Sequence, residues 1–139
     1  MMETIQNDIF SDPEEGKDDH KEAIMIIDDN AEIIAALTLV LKDYYIIISC
    51  LSFEEARAKL TSKIRVVMLD IKMANKDGIE AFQLLKQENE TLRIIFHSAY
   101  PGSEEKAQQA KSMAHDGYLT KGEYTTVELL ETIQKTLKE

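Results

Sequence analysis

Cysteine is nearly absent. Cys50 is the only one, which excludes an internal disulfide framework and leaves a small apolar residue in a strand-like stretch. Positive charge is scarce as well: 16 Lys and Arg stand against 26 Asp and Glu, for a net charge of −10. The clustered cations that grip nucleic-acid phosphates are therefore missing, and no direct nucleic-acid partner is expected. No stretch approaches the roughly 18 consecutive apolar residues that would cross a bilayer. The opening METIQNDIFSDPEE lacks the basic and then apolar order of a signal peptide. No membrane association and a cytoplasmic location are the resulting expectations. Repeats and low-complexity tracts are absent too. What remains is 139 residues, 44% hydrophobic and 30% charged, enough for one soluble domain with a real core.

Residues 1–22 are polar and acidic, with Pro13 and Gly16 as breakers, and read as a flexible arm on which Ile5, Ile9 and Phe10 offer at most one docking turn. The domain proper is expected over 23–139. Ala23–Ile27 is an unbroken apolar run, as in a strand buried on both faces. Asn30 then caps a helix to about residue 43, with Ile34, Leu37 and Leu41 on one stripe. YIIISC (45–50) is β-branched and strand-like. Ser52 with Glu55 forms a capping box for a helix through Leu60. Ile64–Leu69 reads as a central strand, 77–89 as a helix with Ile79, Phe82 and Leu85 inward, and 92–97 as a fourth strand. A helix over 103–114 poor in large apolar residues, a short strand at 117–120 and a helix over 123–137 follow. Val127, Leu130 and Ile133 or Leu137 are the expected buried residues of that last helix. Strands alternating with helices require right-handed crossovers and a parallel sheet. The predicted fold is α/β: a doubly wound, five-stranded three-layer sandwich.

Four polar side chains close these apolar runs: Asp28 and Asp29 end AIMIIDD, Asp70 ends RVVMLD and Lys121 ends GYLTK. Parallel strands would gather all four at the carboxyl edge of the sheet, where open α/β folds bind ligands. Three converging carboxylates repel one another unless a metal ion and a lysine neutralise them. That is the requirement of a magnesium-dependent, phosphoryl-accepting aspartate.

The patterns IIDDN, VVMLDIKM…DG, FHSAY and YLTKG, in that order, resemble a response-regulator receiver domain of two-component signalling, in the CheY-like superfamily, over roughly residues 23–139. The resemblance implies a flavodoxin-like sheet in strand order 2-1-3-4-5, with Asp70 as the nucleophile that forms an acyl phosphate. It implies Mg²⁺, or another divalent cation, held by Asp29 and Asp70, by Asp28 through water, and by the backbone carbonyl of Lys72. Lys121 would pair with Asp70 and then with a phosphate oxygen, and Ser98 would give its hydroxyl to another. Tyr118 resembles the family's aromatic switch; packing as core is the competing reading. Ile33 and Ala36 would offer an apolar docking patch to the partner, although Ile33 also fits a core stripe. Lys72 and Tyr100 fall where the family tunes dephosphorylation, and their bulk is expected to hinder attacking water. His97 and His115 lack a second ligand at metal-binding spacing and read as structural or surface residues.

Two departures concern proline. The usual Met-Pro is Met73-Ala74, and the usual Lys-Pro is Lys121-Gly122, which leaves a cis or a trans bond open there. The expected function is that of a receiver taking phosphate from a histidine kinase or histidine phosphotransfer protein and signalling to an unknown downstream protein. It would catalyse its own phosphorylation without being an enzyme in the turnover sense. Because the last helix is expected to close near Glu139, a stand-alone receiver leads. A receiver fragment of a larger DNA-binding regulator or hybrid kinase is the alternative. An aspartyl-nucleophile phosphatase is disfavoured because Lys72 occupies the place of its general acid.

Overall fold

The structure, a computed structural model, describes residues 21–101, 104–113 and 116–138. Residues 1–20 of the expected arm, His115, and both ends of the helix expected over 103–114 lie outside the described residues. In chain order the elements are β1 (Ala23–Ile27), α1 (Ala31–Leu41), β2 (Ile46–Cys50), α2 (Phe53–Lys59), β3 (Ile64–Leu69), α3 (Gly78–Glu88), β4 (Arg93–Ser98), α4 (Glu105–Met113), β5 (Tyr118–Thr120) and α5 (Thr126–Lys138). All strand pairs are parallel, as the alternation of apolar runs required, and the order is β2-β1-β3-β4-β5, as the family resemblance implied.

The pleat divides the core in two. On β3, Val67 and Leu69 point to one face while Val66 and Met68 point to the other, and all four are buried because helices cover both faces. Residues of α2, α3 and α4 pack on the first face, and residues of α1 and α5 on the second. Burying each large side chain contributes roughly 1.5–3 kcal/mol, so these two clusters carry most of the favourable energy of folding.

Local signals set the helix starts. The Asn30 side chain accepts from the Glu32 and Ile33 amides, and Asp77 accepts from that of Ile79. Ser52 accepts from the Glu55 amide, while Glu55 reaches back one residue further than a simple box, to the Leu51 amide. The sequence reading missed a second box, in which Thr125 and Glu128 exchange side-chain and backbone bonds. That box starts α5 three residues later than expected and leaves Glu123 and Tyr124 in the preceding turn. Val127 is a correction: it is 61% exposed, and Leu129, Leu130, Ile133 and Thr136 are buried instead. At 100° per residue Val127 lies about 120° around the helix from Ile133, off the core-facing stripe. The strands at 93–98 and 118–120 each begin one residue later than their apolar runs. Backbone pairing also reaches back to Glu22, whose carbonyl accepts the Ile46 amide and whose carboxylate pairs with Arg65.

Candidate functional site

The parallel register brings the strand ends side by side. Ile27 pairs with Leu69 and Leu69 with Phe96, while Ser98 pairs with Thr120. The ladder continues one step beyond the strands: the Asp28 amide donates to Cys50 O, the Asp70 amide to Ile27 O, and the Lys121 amide to Ser98 O at 2.8 Å. Each candidate residue is thus anchored to the last carbonyl of a neighbouring strand, and its side chain has little choice of direction. One carboxylate oxygen each from Asp28, Asp29 and Asp70 lies within 4.8 Å of the others. Asp28 and Asp70 are buried, whereas Asp29 is exposed.

Lys121 closes the cluster. Its ammonium is 2.8 Å from Asp28 Oδ2 and 3.4 Å from Asp70 Oδ1, so it sits nearer Asp28 than Asp70. Burial alone would lower its pKa. The hydrogen bond to Asp28 and the charges of both aspartates outweigh that, and the ammonium is held above the ordinary lysine value. Asp70 shows the opposite balance. Burial first, and then the charge of Asp28, push its carboxyl up to about 6, against the pull of Lys121 and of the Lys72 amide that donates to it. The carboxylate pair therefore carries more negative charge than one ammonium compensates. An all-oxygen, hard donor set with residual negative charge fits a hard divalent cation such as Mg²⁺.

Loop contacts hold the rest. The Asn30 amide donates to Asp28 Oδ1 at 2.9 Å, and the Ala74 amide donates to Asp29 Oδ2 at 2.8 Å. A proline at 74, the family's usual residue there, has no N–H and could not make the second bond. Gly78, the first residue of α3, lets the helix approach the end of β3. Its amide donates to Ile71 O at 2.7 Å, and a Cβ there would lie 2.3 Å from Asp70 O and 2.5 Å from Ile71 Cα. Lys72 is exposed on the loop leaving Asp70 and bridges to Asp77, and with Tyr100 it lines a cleft of about 290 Å³ beside the site. The Lys121–Gly122 peptide is trans, since no cis bond occurs among the described residues, and Gly122 takes φ +78°.

Ser98 is fully buried, and its hydroxyl oxygen accepts from the Tyr100 amide. Tyr118 is half-buried against the Phe96 face of the sheet, and its hydroxyl donates to Tyr100 O at 2.8 Å. Burial raises the Tyr118 phenol, opposed by a hydrogen bond with Ser98. Ser98, Tyr100 and Tyr118 thus form one connected group. His97 is buried on the opposite face and bonds Tyr124, a partner the sequence reading missed because 27 residues separate them. On α1, Ile33 is half-buried against the core and Ala36 is exposed. Leu39, 69% exposed on the same helix, was also missed.

Comparison with known proteins agrees with this architecture. The family model for the response regulator receiver domain matches residues 24–134. Transcriptional regulatory protein TdiR of Thauera aromatica is 32% identical over 118 residues, which is 82% of this chain and 50% of that protein. The chain therefore spans about half the length of this curated relative. A CheY-like receiver domain protein from Methanospirillum hungatei shares the fold, with a TM-score of 0.75, 22% identity, and coverage of 85% of this chain and 94% of that one. Thermotoga maritima TrrA, solved with Mg²⁺ and BeF, gives a TM-score of 0.71 at 27% identity, covering 83% of this chain and 98% of its own. The chain belongs to the response regulator receiver domain family.

Proposed function

We propose that this receiver accepts a phosphoryl group on Asp70 from the phosphohistidine of a histidine kinase or histidine phosphotransfer protein, with a divalent cation bound at the site, and signals by a change of conformation. The observation that carries the reading is the convergence of Asp28, Asp29 and Asp70 oxygens within 4.8 Å, with the Lys121 ammonium 2.8 Å from Asp28 and 3.4 Å from Asp70. An Asp70 carboxylate oxygen attacks phosphorus, the bond from phosphorus to the donor imidazole breaks, and the imidazole nitrogen keeps the electron pair. The Asp29 and Asp70 carboxylates would hold Mg²⁺ together with the Lys72 carbonyl, and Asp28 would act on it through water. The ion supplies neutralisation of charge on the transferring oxygens. Lys121 exchanges its aspartate contacts for a phosphoryl oxygen, acting as a compact, movable charge. Ser98 releases the Tyr100 amide to give its hydroxyl to another phosphoryl oxygen. Because Tyr118 is tied to Tyr100 O and Ser98, this loss re-biases the Tyr118 packing and carries the signal toward α4, β5 and α5.

The histidine partner docks near the site on α1, where Ala36 is exposed and Ile33 half-exposed; the exposed Leu39 extends that apolar face. Turnover as a phosphatase is disfavoured, since two residues after Asp70 the chain carries Lys72 and no carboxylate to shuttle a proton. No described helix is long and apolar enough to cross a membrane, and a cytoplasmic site of action is part of the proposal. A second reading has its own support: TdiR is a transcriptional regulatory protein about twice the length matched here, so this receiver also fits the regulatory part of a larger regulator.

Acetyl phosphate, with and without Mg²⁺, tests the reading by intact mass. One metal-dependent phosphoryl adduct is expected on the wild type and none on Asp70→Asn. No adduct on the wild type, or an equal adduct on the variant, would overturn it.

A further inference from the structure

The loop carrying Lys121 has a weakness. It contains no proline, it turns through Gly122 at φ +78°, and nothing lies within 4 Å of where a Gly122 side chain would start. A glycine turn leaves the chain on either side free to swing. Yet Lys121 has to place one ammonium between two carboxylates, and a displacement of about 1 Å there is enough to cost rate heavily.

Two pins compensate, and they reach neighbouring residues of β4. Before the turn, the Lys121 amide donates to Ser98 O at 2.8 Å. After it, the Tyr124 hydroxyl and His97 Nε2 are 2.8 Å apart, a hydrogen bond in either ring tautomer. The two rings also meet edge to face, with centroids 5.6 Å apart. Between the pins the Glu123 amide closes the turn on Thr120 O. His97 is 4% exposed and sits on the α1/α5 face, where Tyr124 packs against the same core cluster. The imidazole also lies close enough to the Lys121–Asp28 pair to feel both charges. The segment 121–124 is thus fastened at both ends to the strand end that presents Ser98.

We propose that the His97–Tyr124 pair is a positioning latch for Lys121, fixing the backbone segment from which the ammonium extends and which the glycine turn alone would leave loose. The inference rests on the phosphoacceptor reading for its consequence, but its geometry stands apart from it. Neither residue touches the acceptor; the pair acts through Lys121.

The test is a double-mutant cycle on the rate of Mg²⁺-dependent adduct formation from acetyl phosphate. Tyr124→Phe, which keeps the ring and removes the hydroxyl, is expected to slow the wild type three- to tenfold. In a Lys121→Ala background the same change is expected to alter the rate less than twofold, because the group being positioned is gone. His97→Gln, whose amide still reaches a hydroxyl, is expected to stay within threefold of wild type. An undiminished rate for Tyr124→Phe, or the same slowing in both backgrounds, would overturn the latch. Amide exchange gives a second arm that needs no phosphorylation. Tyr124→Phe should accelerate exchange at the Lys121 and Glu123 amides at least tenfold while β3 amides stay protected. Unchanged exchange overturns the latch even if the wild type takes no phosphoryl group, an outcome that would instead sink the phosphoacceptor reading.

Discussion

Asp70 holds its proton more tightly folded than unfolded, since burial and Asp28 push its pKa up to about 6 from an ordinary value near 3.8. A raised carboxyl makes the folded state bind more protons, so its contribution to stability falls as pH rises from about 4 to about 6. Two pH units correspond to at most about 3 kcal/mol. Asp70→Asn, in the metal-free protein, is therefore expected to be more stable than wild type by about 1–3 kcal/mol at pH 7.5 and equal to it near pH 4. Urea denaturation in EDTA at both pH values measures this, and a difference independent of pH would contradict it. The comparison has to be made by variant because His97 works the other way. Its pKa is pushed down to about 4, by burial first and then by Lys121, so the neutral ring loses stability as pH falls from about 6.5 toward 4. Asp28, Asp29 and Asp70 were legible in the sequence because each ends an apolar run, and run ends need no tertiary knowledge. The His97–Tyr124 pair and the Ala74 amide bond to Asp29 were not, because both join residues brought together only by the sheet register and by a loop with no periodicity.

Among the elements, α3 packs directly against the backbone of Asp70, and it does so through one missing side chain. Gly78→Ala places a Cβ against the backbone of Asp70 and Ile71, atoms that no side-chain rotation can move aside. The expected cost is about 1–3 kcal/mol, the usual size of overpacking. A clear slowing of adduct formation should accompany it under the proposed function, because the displaced atoms belong to Asp70 and Ile71. Urea midpoints and adduct rates measured together check both, and unchanged values for both would contradict the packing account. The strands and most helices were legible because buried parallel strands read as unbroken apolar runs and caps are local. The start of α5 was not. The Thr125–Glu128 box joins a side chain to an amide three residues away in each direction and delays the first turn, while Val127, about 120° around the helix from Ile133, falls off the buried stripe and faces solvent.

At the scale of the molecule, function follows from topology. Order β2-β1-β3-β4-β5 places β3 at the centre, flanked by β1 and β4, so Asp70 at its end lies between the acidic pair on one side and Ser98 on the other, with Lys121 reaching in from β5. The same arrangement puts α1 and α5 on one face and the Tyr118 packing on the other. Under the proposed function, the polar cluster at the strand ends joins the docking helix α1 to the Tyr118 packing on the other face. The central claim is that this cluster makes Asp70 the acceptor. The most direct measurement treats the protein with acetyl phosphate and Mg²⁺, reduces any acyl phosphate with borohydride, and maps the product by peptide mass spectrometry. The expected result is homoserine at position 70 with Asp28 and Asp29 intact. Reduction at Asp28 or Asp29, or at no residue, would contradict the account.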